Sequence, residues 1–199
     1  MSDMPSDRSS DAGAPSVGRP RRDQQALLDA AAAVFMVSGV DAPVREIAAK
    51  AGVGVGTIYR HFPSRADLVV AVYRHQVEAC ADAGPRLLAE SETPEAALRA
   101  WVAMFVDFLT TKHGLADVLQ GDSARSGDAL HTYFVSRLVP VCASMLETAR
   151  RPADAYAPID AYSVLKGIGN LCIGAASDTD YDAATPVQLL LSGLLTRTR

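Results

Sequence analysis

The sequence predicts an all-α fold in two parts, a small three-helix unit near the N-terminus and a larger helical domain behind it. Of 199 residues, 49% are hydrophobic and only 6% aromatic, and abundant alanine with few aromatics favours packed helices over sheets. Apolar residues recur at helical spacing in one segment after another, with Gly, Pro and capping residues between the segments. The length suffices for one large domain or two small ones with a real core.

Taken in order, residues 1–18, MSDMPSDRSSDAGAPSVG, offer almost nothing to bury against the entropy of ordering, so a disordered tail is expected. They hold no apolar stretch of the kind a signal peptide needs. Leu27, Leu28, Ala31, Ala32, Phe35 and Met36 then mark a helix over 24–38, stopped by Gly39. Pro43 can begin but not continue a helix, and Val44, Ile47, Ala48 and Ala51 behind it give a second over 44–51, closed by Gly52. The run GVGVG supplies a turn, and VGTIYRHF makes a short third helix over 55–61 before Pro63.

Ser64 with Asp67 three residues on forms a capping box for a long fourth helix through Leu68, Val69, Val72, Tyr73 and Val77, expected to stop at Gly84-Pro85. Thr93-Pro94 opens an amphipathic helix carrying Leu98, Trp101, Val102, Phe105, Phe108 and Leu109, ended by Gly114. The patch GDSARSGD at 121–128 should separate it from a helix over 128–149, kinked at Pro140. A helix over 158–176 and a last one opened by a Thr185-Pro186-Gln188 capping box complete the chain.

The formal net charge is −4, so nothing global advertises a polyanion partner. The distribution differs: residues 19–75 hold eight basic and five acidic residues, net +3, while 1–18 is net −2 and 76–199 net −5. That asymmetry suits a polyanion-binding module joined to an acidic partner domain. Cys80, Cys142 and Cys172 are odd in number and widely spaced, which gives neither a disulfide framework nor a zinc motif and fits a reducing, cytoplasmic setting. His75, His113 and His131 lack partners at metal spacing, so no metal is expected, nor any cofactor. GVGVG follows a helix and lacks the third glycine of a dinucleotide loop, and Ser123 and Ser126 have no nucleophile elbow around them. No apolar run approaches the roughly 20 residues of a membrane span.

Two short helices joined by a Gly-containing turn form a helix-turn-helix, whose second helix enters the major groove. Gly56, Thr57, Tyr59, Arg60 and His61 on that second helix combine small residues for close approach with long hydrogen-bonding ones. The stretch VREIAAKAGVGVGTIYRHFPSRADLVVAVY, Val44 to Tyr73, resembles the DNA-binding signature of TetR-type bacterial transcriptional regulators. The resemblance covers roughly residues 24–75; the remaining helices resemble that family's ligand-binding and dimerisation half by architecture only.

The resemblance implies a helix-turn-helix domain over 19–63 and a ligand-binding, dimerising domain over 64–199. It implies that Val55 and Gly56 sit close to DNA, that Thr57 and Arg60 face bases or phosphates, and that Tyr59 and His61 bond the phosphate backbone. Arg45 and Arg65 would anchor further phosphates, and Arg19, Arg21 and Arg22 would form a basic arm. Ile47, Ala48, Ala51, Ile58 and Phe62 would be core of the module. Two departures stand out: Pro43 and Gly54 occupy positions where the family often has hydroxyl residues, which cap a helix and bond phosphate.

On this reading the function is repression of transcription by a homodimer on a palindromic operator of double-stranded DNA, released by a small-molecule effector, and not catalysis. Trp101, Phe105, Phe108, Leu109, Phe134 and Leu138 would line an effector pocket or simply form core, with His131, Tyr133 or Asn170 as its polar groups. The dimer would use the last two helices, where Gly167 and Gly174 allow close approach and Leu190, Leu191, Leu194 and Leu195 are in excess. The alternatives are a helical enzyme or binding protein for a small hydrophobic molecule, and a helical interaction module without DNA binding.

Overall fold

In the computed structural model, which describes residues 19–111, 123–149, 160–173, 178 and 180–195, eight helices and no strand occur among the described residues. They are α1 Arg19–Ser38, α2 Val44–Ala51, α3 Val55–His61, α4 Arg65–Glu90, α5 Pro94–Thr111, α6 Ser123–Ala149, α7 Ala161–Cys172 and α8 Ala184–Leu195. The tail expected over 1–18 and the glycines Gly114 and Gly174 lie outside the described residues.

The N-terminal unit follows its punctuation closely. Gly39 and Gly52 adopt φ of +74° and +67°, the left-handed conformation that side chains resist, and each turns the chain out of its helix. Gly52 donates its N–H back to Ala48 and Ala49. Pro43 and Gly54 stand at the N-caps of α2 and α3 without a side-chain cap bond, so both hydroxyl departures persist as missing caps. Helix α1 begins at Arg19, earlier than the expected 24, since Pro20 in its first turn gives up an N–H that has no helical partner there.

Helix α4 opens on the expected capping box. Ser64 accepts from the Asp67 N–H, and the Asp67 carboxylate accepts from the Ser64 N–H at 3.0 Å. The stop expected at Gly84-Pro85 does not occur, because α4 runs through both residues to Glu90. Packing overrides the local signal: Gly84 is buried against α6, where an added Cβ would collide with Val141. Proline removes one helical hydrogen bond at this point, and the helix continues on buried contacts from Cys80, Ala81 and Ala83.

Three other boundaries differ: the helix expected from 158 begins at Ala161, behind Asp160 at its N-cap. Helix α6 starts at Ser123, inside the patch expected to be a spacer, and includes Pro140 without ending. Helix α8 starts at Ala184, and its first turn is held by Asp182, which accepts from the Ala184 N–H and the Thr185 hydroxyl. The expected Thr185–Gln188 box is not formed; Gln188 instead accepts from Arg99 Nη1 at 2.7 Å. Thr93 caps α5 as expected, accepting from the Ala96 N–H. Asp160 caps α7 by accepting from the Ser163 N–H.

Helix α4 is the spine. It packs against α1 on the N-terminal side and against α5 and α6 on the other, while α7 and α8 close over α5. One apolar core runs through both parts, from Leu27, Ile47 and Ile58 through Val77 to Trp101, Leu138 and Leu191. Each such fully buried side chain contributes roughly 1.5–3 kcal/mol against leaving it exposed. The stretch Asp128–Ala149 is long and apolar enough by composition to cross a bilayer. Its Leu130, Leu138, Cys142 and Met145 are instead buried in this core.

Candidate nucleic-acid interface and effector region

Helix α3 is barely two turns long and is held from one side. Ile58 and Phe62 are buried in the core that Ile47 and Ala48 of α2 share, and Ala51 is partly buried beside them. With those positions committed, the opposite face is free. Val55, Gly56, Tyr59, Arg60 and His61 are exposed, Tyr59 by 49%, and Thr57 is half-buried.

The polar groups on this face are partly pre-arranged. Arg60 Nη2 donates to Thr57 Oγ1 at 3.0 Å, one turn back, which orients the guanidinium along the helix. Nothing lies within 4 Å of where a Gly56 Cβ would stand, so its surface is open to a close partner. Arg45 on α2 is exposed. So is Lys50 in the last turn of α2, a basic residue the resemblance did not mark although its place in the positive segment was visible.

Arg65 at the start of α4 is half-buried. Its Nη2 donates to the Val40 carbonyl and, at 2.8 Å, to the Ala42 carbonyl, both in the turn between α1 and α2. Arg19, Arg21 and Arg22 fall in the first turns of α1, and their side chains lie outside the described residues.

In the C-terminal part, the apolar residues singled out in the sequence come together. Trp101 stacks on Phe105 with ring centroids 6.0 Å apart, and Phe105 meets Phe108 at 6.1 Å and Phe134 at 5.8 Å. Tyr73 of α4 joins through Phe108 at 5.3 Å. Leu138 is buried and Leu109 partly so. Trp101 is fully buried and donates its Nε1–H to the Cys80 carbonyl at 2.7 Å, which satisfies its one polar atom.

The ladder reaches the surface at exposed His131, which stacks on Phe134 and meets Tyr162 of α7 edge-on. Asn170 is exposed near the end of α7 and is not gathered with the aromatic group. Tyr133 turns to α4, donating its hydroxyl to Glu78, and Arg137 donates to the same carboxylate at 2.8 Å. Arg137 chiefly, helped by Tyr133, holds the Glu78 carboxyl below its ordinary value although burial opposes this. Arg74 lies over the Tyr133 ring, 5.3 Å from its centre.

Sequence reasoning missed this α4–α6 cluster, and also the His75–Asp29 contact of 2.6 Å tying α4 to α1. No local pattern signals partners so far apart in the chain. Among the described residues no group of three or more His, Cys, Asp or Glu is placed to hold a metal. The three cysteines are free and buried. Burial pushes the Cys80 and Cys142 thiols up to about 12 and raises Cys172 as well.

On the last helices, Leu191 and Val187 of α8 belong to the chain's own core, and Leu190, Leu194 and Leu195 are partly buried against it. Leu191 is thus not surplus, contrary to expectation. The exposed apolar residues there are Ile173 at 67% and Leu189 at 69%.

A short exposed helix braced on a second helix, with a basic and aromatic outer face, is a helix-turn-helix of the kind that places its second helix against DNA. Comparison with known proteins agrees. The family described as "Bacterial regulatory proteins, tetR family" matches residues 27–72. The HTH-type transcriptional repressor LfrR of Mycolicibacterium smegmatis is 38% identical over 90 residues, spanning 45% of this chain and 47% of LfrR, about half its length. A TetR transcriptional regulator from Streptomyces coelicolor is 33% identical with a TM-score of 0.65, covering 86% of this chain and 97% of that one. The crystal structure of LfrR from Mycobacterium smegmatis in complex with proflavine has a TM-score of 0.61 at 24% identity, covering 92% and 99%. The chain belongs to the TetR family of bacterial transcriptional regulators.

Proposed function

We propose that the protein is a homodimeric repressor that binds a palindromic operator through α3 and is released by a small molecule held in the C-terminal domain. The observation that carries the DNA-binding part is the outer face of α3. Val55, Gly56, Tyr59, Arg60 and His61 are exposed and Thr57 is half-buried on a helix that spends Ile58 on the core. Gly56 lets the helix approach a base edge, Arg60 reads a base or phosphate, and Tyr59 and His61 bond the backbone. Arg45 and Lys50 of α2 add phosphate contacts. The helix-turn-helix domain spans 19–63 and the effector domain 64–199, and the protein acts in the cytoplasm, where its DNA lies.

Dimerisation through α7 and α8 covers Ile173 and Leu189, and its two-fold symmetry demands a two-fold operator. The effector enters along the aromatic ladder from His131 and Tyr162 toward Phe134 and Phe108. It need only favour a dimer in which the two α3 helices no longer match the half-site spacing. Helix α4, packed on both parts, carries that change.

The test is fluorescence anisotropy with a duplex from the intergenic DNA beside the protein's own gene. Tight binding that falls steeply with salt is expected, and proflavine, bound by LfrR in its crystal structure, is the first effector probe. Absence of binding to any such duplex at low salt overturns the DNA-binding reading. Removal of residues from 158 onward should leave a monomer in sedimentation, and a truncated dimer would refute the interface.

A further inference from the structure

We infer that Arg65 is a positioning residue for DNA recognition, holding the turn ahead of α2, and not a phosphate contact. The inference rests on the DNA-binding reading above and gives this arginine a role opposite to the one its place at the start of α4 suggests.

The turn from Gly39 to Pro43 sets where α2 begins. Its own backbone bonds are the Gly39 N–H to the Phe35 carbonyl and the Ala42 N–H to the Gly39 carbonyl, and its Pro43 carbonyl accepts from the Glu46 N–H of the first turn of α2 at 2.9 Å. Val40 and Ala42 are buried, and buried carbonyls need donors. Arg65 Nη2 supplies both, reaching back 25 and 23 residues in the chain. Pro43 at the α2 N-cap has neither an N–H nor a capping side chain, so α2 lacks the local tie that a hydroxyl residue would give it. The guanidinium of the fourth helix provides the tie from across the module.

The orientation of Arg65 follows from these bonds. Its side chain is half-buried, and its Nε is enclosed without a hydrogen-bond partner. The adjacent Ser64–Asp67 capping box fixes the backbone from which it projects. A charge turned into the protein and already bonded to two carbonyls displaces few counterions from DNA. Its effect on binding passes instead through α2, which carries Arg45 and Lys50 and supports α3.

The experiment uses Arg65→Met, which keeps the aliphatic stem but removes donors and charge, and Arg65→Lys, which restores donors. In the DNA-free full-length protein, amide hydrogen exchange over 40–51 should rise by at least about tenfold in Arg65→Met, which loses two charge-assisted hydrogen bonds. Exchange in α5 should stay unchanged, and Arg65→Lys should recover most of the protection.

On a duplex of about 30 base pairs from the flanking intergenic DNA, long enough for two half-sites, Arg65→Met should weaken binding by about tenfold at every salt concentration. The active fraction, titrated at high DNA concentration, should match wild type. The plot of log affinity against log salt should run parallel to wild type, whereas loss of a phosphate contact lowers its slope by about 0.9. A lowered slope, unchanged exchange over 40–51, wild-type affinity, or a loss traceable to a smaller folded fraction each overturns the inference. Failure of the wild-type protein to bind DNA overturns the DNA-binding reading alone, because the exchange arm still decides whether Arg65 holds the turn.

Discussion

Gly84→Ala adds one methyl group at the tightest place in the spine of the molecule. The new Cβ would stand well under 3.0 Å from Val141 Cγ1, with Met145 Sδ at 3.5 Å and Trp101 Nε1 at 3.7 Å. The two longer distances are ordinary contact, so the whole penalty falls on Val141. Valine in a helix has one strongly preferred rotamer, and it cannot turn its methyl aside cheaply. Overpacking of this kind costs about 1–3 kcal/mol. Against it stands the gain of about 1 kcal/mol from replacing glycine by alanine within a helix. The net expectation is a loss of about 1 kcal/mol, or roughly 2–4 °C in Tm for a chain of this size.

The decisive assay is a double-mutant cycle. Val141→Ala removes the obstructing methyl, so Gly84→Ala on that background should be neutral or stabilising, with a coupling of about 1–2 kcal/mol. Urea unfolding of the four proteins at one concentration measures this with any dimer contribution held constant. Additive effects, or a Gly84→Ala protein more stable than wild type, would refute the argument that close packing of α4 on α6 carries α4 past Pro85.

Glu78 has a lowered pKa, held chiefly by Arg137, so its stabilisation is present above its ordinary value of 4.5 and is lost as pH falls through the lower folded value. Glu78→Gln should therefore flatten the stability profile between pH 4.5 and the lower folded value by a modest amount, since the pair is partly solvated; a profile parallel to wild type across that window would contradict this. Trp101→Ala should cost about 3–5 kcal/mol in chemical unfolding, because the residue is fully buried and ring-stacked; a much smaller cost would mark it as lining a space already open. Cys80 and Cys142, with thiols at about 12, should react with iodoacetamide at pH 8 only as fast as the protein opens, and rapid labelling of the native protein would contradict their burial. Arg60→Ala should change base preference at one operator position by about 1–3 kcal/mol, while uniform weakening across sequences would assign Arg60 to the backbone.

What was legible in the sequence was local. Gly39, Gly52, Thr93 and the Ser64–Asp67 pair act within a turn of where they stand, and each does what its chemistry dictates. That Ile58 and Phe62 lie inside while Tyr59, Arg60 and His61 lie outside is what the family resemblance implied. The aromatic stripes of α5 and α6 were legible from helical periodicity, and they meet. The misreadings occur where a distant residue decides: Val141 against Gly84, and Arg99 reaching 89 residues to Gln188. Asp182 likewise displaces the Thr185–Gln188 box by offering a better acceptor two residues before the helix begins.

The central claim is that the outer face of α3 reads DNA. Hydroxyl-radical footprinting on the intergenic DNA beside the gene, with wild type and a Thr57→Ala, Tyr59→Ala, Arg60→Ala variant, tests it directly. Tyr59 and Arg60 are exposed and Thr57 is half-buried, and none of the three belongs to the core that Ile58 and Phe62 serve, so the variant should keep its fold by circular dichroism. Wild type should protect two patches related by a two-fold axis, about 34–36 Å apart or a multiple of that spacing. The variant should protect neither. A footprint that the variant retains at the same protein concentration would contradict the assignment of α3 as the recognition helix.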